Sequence, residues 1–109
     1  MKKLETHFIS GEGGFSVFPL IYTQLARSSI AAIYERSRDG KPRDYEVFKI
    51  KVARTGTRTF SRILKEDQEQ YPSTSNWGKT AWTFNDRERA FAKYAELNKR
   101  QETIKAFAE

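Results

Sequence analysis

Gly78-Lys79-Thr80 is the residue order that closes a phosphate-binding loop, in which backbone amides and a lysine cradle nucleotide phosphates. The complete loop needs a glycine at position 73 and a helix after Thr80, whose first amides hold the phosphate. Position 73 is Ser73, and Ala81-Trp82-Thr83-Phe84 alternates like a strand. Nucleotide hydrolysis is therefore not expected here. His7 is the only histidine, and there is no cysteine. A histidine-pair metal site, a thiolate site and a nucleophile–histidine–acid triad are not expected either. Glu66, Asp67 and Glu69 fall in a polar run that reads as a solvated connecting loop. Asp39, Asp44 and Glu46 lie among Arg36, Arg38, Lys41 and Arg43, where surface charge pairing accounts for them. The expectation is a protein that is not an enzyme, with no catalytic residue, no cofactor and no metal.

Charge is the feature with more to offer. The 109 residues carry a formal net charge of +6. Lys49, Lys51, Arg54, Arg58 and Arg62 fall in one stretch that contains no acidic residue. On a sheet, Lys49 and Lys51 leave by one face, and Arg58, Phe60 and Arg62 share a face of the next strand. Such a basic face suits a polyanion: an acidic protein surface, or a DNA or RNA backbone with Phe60 or Trp77 stacking on a base.

These residues need elements to hold them. Leu4 to Ile9 reads as a short strand, followed by a glycine-rich turn at 11–14. Phe18, Ile21, Tyr22 and Leu25 recur at helical spacing, and Pro19 suits a first helical position, so a short helix is expected over 19–26. Phe15 and Val17, however, alternate like a strand. Ile30 to Arg36 and Tyr45 to Ala53 read as an antiparallel pair around the turn signal Asp39-Gly40, with Phe48, Ile50 and Val52 on one face. Thr57 to Leu64 reads as a third strand, 65–75 as a loop and Lys79 to Phe84 as a last strand. Trp82 and Phe84 then point to the core. Asn85 with Glu88 forms a capping box for a long helix with the stripe Ala90, Phe91, Tyr94, Ala95 and Leu97. Ile104 and Phe107 extend that helix and offer a face on which two copies can pair as a homodimer. The predicted fold class is α+β, one domain over 1–109, with an antiparallel sheet and one long C-terminal helix packed on it.

Two stretches carry a resemblance. Ala32-Ile33-Tyr34-Glu35-Arg36 with Asp39-Gly40 and Tyr45-Glu46-Val47, and Tyr71-Pro72-Ser73 with Trp77-Gly78 and Trp82-Thr83-Phe84, resemble small uncharacterised proteins of tailed bacteriophages and prophages over roughly residues 30–97. That resemblance implies a phage accessory protein that binds a bacterial protein in the host cytoplasm. Trp77-Gly78, followed by a strand and a helix with Ala90 and Phe91, is also similar to the tryptophan-glycine-arginine domain that contacts DNA. Here Lys79 stands where that family has arginine, and the glycine-rich continuation is missing.

The absence of cysteine fits a reducing cytoplasm, and no apolar run follows Met1-Lys2-Lys3 or reaches the length that spans a bilayer. The function expected is thus a small basic binding protein for a bacterial protein or complex, with nucleic acid as the alternative partner and no membrane role.

Overall fold

Ala31 to Tyr34 and Tyr45 to Phe48 are two runs of four residues in which every side chain is buried. Successive strand residues point to opposite faces, so these runs must be covered on both sides. The computed structural model describes residues 1–10, 19–59, 62–72 and 74–108, with the backbone alone at 10, 59, 62, 74 and 100–108. Its elements in chain order are β1 (His7–Ser10), β2 (Leu20–Arg27), β3 (Ala31–Arg38), β4 (Lys41–Lys49), β5 (Lys51–Ala53), β6 (Arg58–Thr59), β7 (Arg62–Ile63), β8 (Gln68–Gln70), β9 (Ala81–Phe84) and α1 (Arg87–Ala108). The main sheet is antiparallel in the order β1-β2-β3-β4-β9, and α1 packs on β3, β4 and β9. The expected α+β architecture is therefore observed.

Asp39 and Gly40 join β3 to β4 with φ angles of 54° and 75°. Two consecutive left-handed residues make the two-residue turn whose twist matches a hairpin, which is why Asp-Gly occupies it. The strands extend right up to this turn, further than the sequence indicates, with a register shift between Arg36 and Ser37.

Several expectations change. The segment 19–26 is not a helix but strand β2. Residues 21–25 satisfy both periods, and the extended form prevails because β1 and β3 pair with its two edges. A helix of two turns would be marginal on its own. The 45–53 strand divides. The Lys49 amide donates to the Thr80 carbonyl at 2.9 Å and the Ile50 amide to the Ile30 carbonyl at 2.8 Å, after which β5 pairs with β8 in a second small sheet. Lys49 and Lys51 are exposed, and a strand buried on both faces cannot continue through them, so the chain leaves the main sheet after Lys49. The 57–64 strand is instead the β6–β7 hairpin, and the 65–75 loop contains β8. The helix is capped by Asp86, one residue after Asn85. Asp86 Oδ1 accepts from the Glu88 amide at 2.9 Å, and a carboxylate suits the positive end of the helix dipole.

One face of the sheet holds Ala31, Ile33, Tyr45 and Val47 against Ala90 and Leu97, with Trp82, Phe84, Phe91 and Tyr94 partly buried around them. Trp82 and Phe84 thus lie under the helix, as their spacing indicates. Ala95 is exposed rather than part of the stripe, and Lys93 borders the packed face, its ammonium 4.1 Å from the centre of the Trp82 ring. Ser28 anchors the helix from the β2–β3 loop. Its hydroxyl donates to Asn98 Oδ1 at 2.6 Å and accepts from the Ala31 amide at 3.1 Å. The opposite face holds Tyr22, Ala32, Tyr34, Phe48 and Ala81 beneath Leu4, Tyr71 and Trp77.

If the helix contributes its packing face to this core, Leu97→Ala will destabilise the chain by about 2–5 kcal/mol and Asp86→Ala by about 1 kcal/mol in urea unfolding. A cost for Leu97→Ala no larger than that of the cap would mean that the helix rests on the sheet without closing the core.

Candidate functional site

Register sets the polar groups of the helix-free face in two rows. Tyr22, Arg36 and Asp44 are neighbours across β2, β3 and β4. Gln24, Tyr34, Glu46 and Thr83 are neighbours across β2, β3, β4 and β9. Arg36 forks onto Asp44 through Nε and Nη2 and reaches Glu46 Oε1 through Nη1 at 3.0 Å. Tyr71 donates its hydroxyl to Glu46 Oε2 at 2.6 Å. Glu46 is only 2% exposed, so this is not the surface pairing expected from the sequence. A buried carboxylate persists only with partners such as these. Burial raises the Glu46 pKa, while the Tyr71 hydroxyl and Arg36 pull it back. Burial and the neighbouring Glu46 carboxylate push the Tyr71 phenol up, so it keeps its proton and acts as the donor.

Above these groups lies a cavity of about 440 Å³ lined by Tyr22, Arg36, Glu46, Tyr71, Trp77 and Thr83. Its inner wall continues into an aromatic cluster: Tyr71 meets Tyr22, Tyr34 and Phe48 edge-on at 5.5, 5.3 and 4.7 Å between ring centres.

The second ionic centre is Glu69, which is buried and not the solvated loop carboxylate expected. Arg27 holds it bidentately at 2.6 and 2.8 Å, and the Leu4 amide donates to it at 3.0 Å. The Arg27 guanidinium and the Leu4 amide hold its carboxyl at about 2 against the opposing effect of burial. Asp67 is tied likewise by the Thr55 amide, the Thr55 hydroxyl and Arg54, which lower its pKa in that order.

The basic residues do not form one sheet face. Lys49 ends β4, Lys51 opens β5, Arg54 begins a turn and Arg58 lies in β6; all four are exposed. Register places Arg58 opposite Ile63 and Thr59 opposite Arg62, so Arg58 and Arg62 sit on different strands. Phe60 lies outside the described residues, as does the side chain of Arg62. Ile63 is 59% exposed beside Arg58. Trp77 follows the 3₁₀ turn Thr74–Asn76 and is half-buried against the aromatic cluster. Lys49 and Lys51 do come together: with Gln70, Asn76 and Thr80 they line a pocket of about 50 Å³. Ile104 and Phe107, the residues expected to pair two copies, lie beyond the described side chains, and His7 is an exposed position of β1. Among the described residues no group of three or more His, Asp or Glu side chains is placed to hold a metal ion, and no helix is long and apolar enough to cross a membrane.

The Arg36–Asp44–Glu46 network and Tyr71 escaped the sequence reading. The one signal that could have found them is Glu46 itself, a charge at the centre of the apolar run Tyr45 to Phe48. No family model, curated protein or solved structure matches the chain.

Because Glu69 is held at about 2 against an ordinary 4.5, its ion pair contributes fully above pH 4.5 and is lost as pH falls through about 2. Melting temperature should therefore fall across that window in the parent protein. In Glu69→Gln it should be lower at neutral pH and fall less steeply with acid. Parallel pH curves for the two proteins would show that the pair contributes nothing to folding.

Proposed function

We propose that the chain is a small, non-catalytic basic protein of the phage accessory kind that docks on an acidic surface of a bacterial protein. One observation carries this reading. Several described carboxylates are already paired within the chain, Asp44 and Glu46 with Arg36, Glu69 with Arg27 and Asp67 with Arg54. Lys49, Lys51 and Arg58 are exposed and have no ion-pair partner among the described residues. Positive charge on this side is thus free to act outward, steering association with an acidic partner. Exposed Ile63 beside Arg58 supplies an apolar contact of the kind found at the centre of protein interfaces.

A second reading, nucleic-acid binding, has its own support. The pocket of about 50 Å³ between Lys49 and Lys51 offers Thr80 and Gln70 as further donors and has the chemistry to seat a backbone phosphate. Half-buried Trp77 makes a poor stacking platform, which favours the protein partner.

The discriminating experiment measures association of the chain with its co-purified bacterial partner and, separately, with labelled single- and double-stranded oligonucleotides across a salt series. The expected result is a stoichiometric protein complex whose association rate falls with salt and drops about tenfold or more in Lys51→Glu/Arg58→Glu. A complex indifferent to both would refute the basic edge as the docking surface. Salt-sensitive oligonucleotide binding without such a complex would replace the protein partner with nucleic acid.

A further inference from the structure

We propose that the cavity between Tyr71, Trp77 and the Arg36–Glu46 floor receives one cationic side chain, arginine or lysine, of a partner protein. The inference stands apart from the docking surface, because the cavity can take a cation whether or not the basic edge is used. The volume, about 440 Å³, falls within the roughly 300–1,000 Å³ typical of ligand cavities.

Charge then selects the ligand. The cavity floor is Arg36 and Glu46, and Asp44, which Arg36 also holds but which does not line the cavity, brings this ionic cluster to two carboxylates against one guanidinium. It is net negative on a chain whose total charge is +6. An anion would face that excess. A wholly apolar group would cover Glu46 and satisfy none of its remaining acceptor capacity. Glu46 Oε1 is ion-paired with Arg36 and Oε2 accepts from Tyr71, which leaves acceptor capacity on each oxygen for a new donor. The walls suit a cation as well. The Arg36 guanidinium already sits 5.9 Å from the centre of the Tyr22 ring, and Trp77 brings an indole to the same cavity. The apolar stem of a lysine or arginine can lie along Pro72 and Trp77 while its head reaches Glu46 and the Thr83 hydroxyl.

Position indicates a side chain rather than a free amine. A small free cation gains only the contacts of the cavity, whereas a basic side chain carried on an acidic surface is also drawn in by the overall charge of +6. Tyr71 and Pro72 form a wall shared with the Lys49–Lys51 pocket. One partner can therefore present carboxylates to the lysines and a single basic side chain to the cavity.

The test uses the isotope-labelled full chain and three probes at low ionic strength: the N-acetyl amides of arginine, lysine and norleucine. The expected result is saturable shifts of the Thr83 amide and the Trp77 indole N–H with arginine, lysine or both, and none with norleucine. Trp77→Leu, in the segment that crosses the face, should weaken that binding about tenfold, and Glu46→Gln by a similar factor. Binding of either cationic probe alone supports the proposal and names the head group. Equal shifts with norleucine, non-saturating shifts, no shift at Thr83 and Trp77, or full binding by folded Trp77→Leu would each overturn it.

Discussion

Tyr71 is the contact on which the helix-free half of the molecule depends. A sheet whose central strands are buried on both faces needs two covers, and α1 supplies only one. The other cover is a strand and a loop, which have little apolar surface of their own. Tyr71 makes that cover adhere. Its ring packs on Phe8, Tyr22, Tyr34 and Phe48, and its hydroxyl donates to the buried carboxylate Glu46. Replacing a second helix by this segment leaves polar groups near the surface that a helix would have excluded.

That economy of cover has a chemical result. On one side of Tyr71 lie Lys49 and Lys51, on the other the Arg36–Glu46 floor, to which Asp44, held by Arg36 outside the cavity, adds a net negative charge. Two surfaces of opposite sign thus share one aromatic wall. Arg27–Glu69 fixes the segment from the other end, tying β8 and the N-terminal residues to β2. Arg27–Glu69 connects elements of different layers, so it fixes the position of the cover as well as stabilising it, whereas Arg36 joins the neighbouring strands β3 and β4 of one sheet. The net worth of these pairs rests on geometry more than on charge count, since buried pairs offset much of their own attraction by desolvation.

Features set by neighbouring residues could be read from the sequence. Asp39-Gly40 specifies its turn, Trp82 and Phe84 specify a core-facing pair, and the residues from 85 onward specify a helix. Features set by distant partners could not. Glu69 looks like one more loop carboxylate because Arg27 is 42 residues away, and Glu46 finds Tyr71 across 25 residues. The segment 19–26 has apolar residues that fit both periods, and only the flanking strands decide between them. Thr57 to Leu64 alternates like one strand, yet the chain reverses within it. The basic residues were visible as a group, but their division among β4, β5 and β6 follows from the chain leaving the main sheet at Ile50.

Native-state hydrogen exchange on Tyr71→Ala examines this arrangement most directly. If Tyr71 holds the second cover in place, amides in β5 and β8, together with Lys49, which bonds to Thr80, will exchange much faster than in the parent protein. Those of Ala31 to Tyr34 and Tyr45 to Phe48 will remain the slowest in the chain. Unchanged protection in β5 and β8, or equal loss of protection in every strand, would contradict a cover held in place by Tyr71.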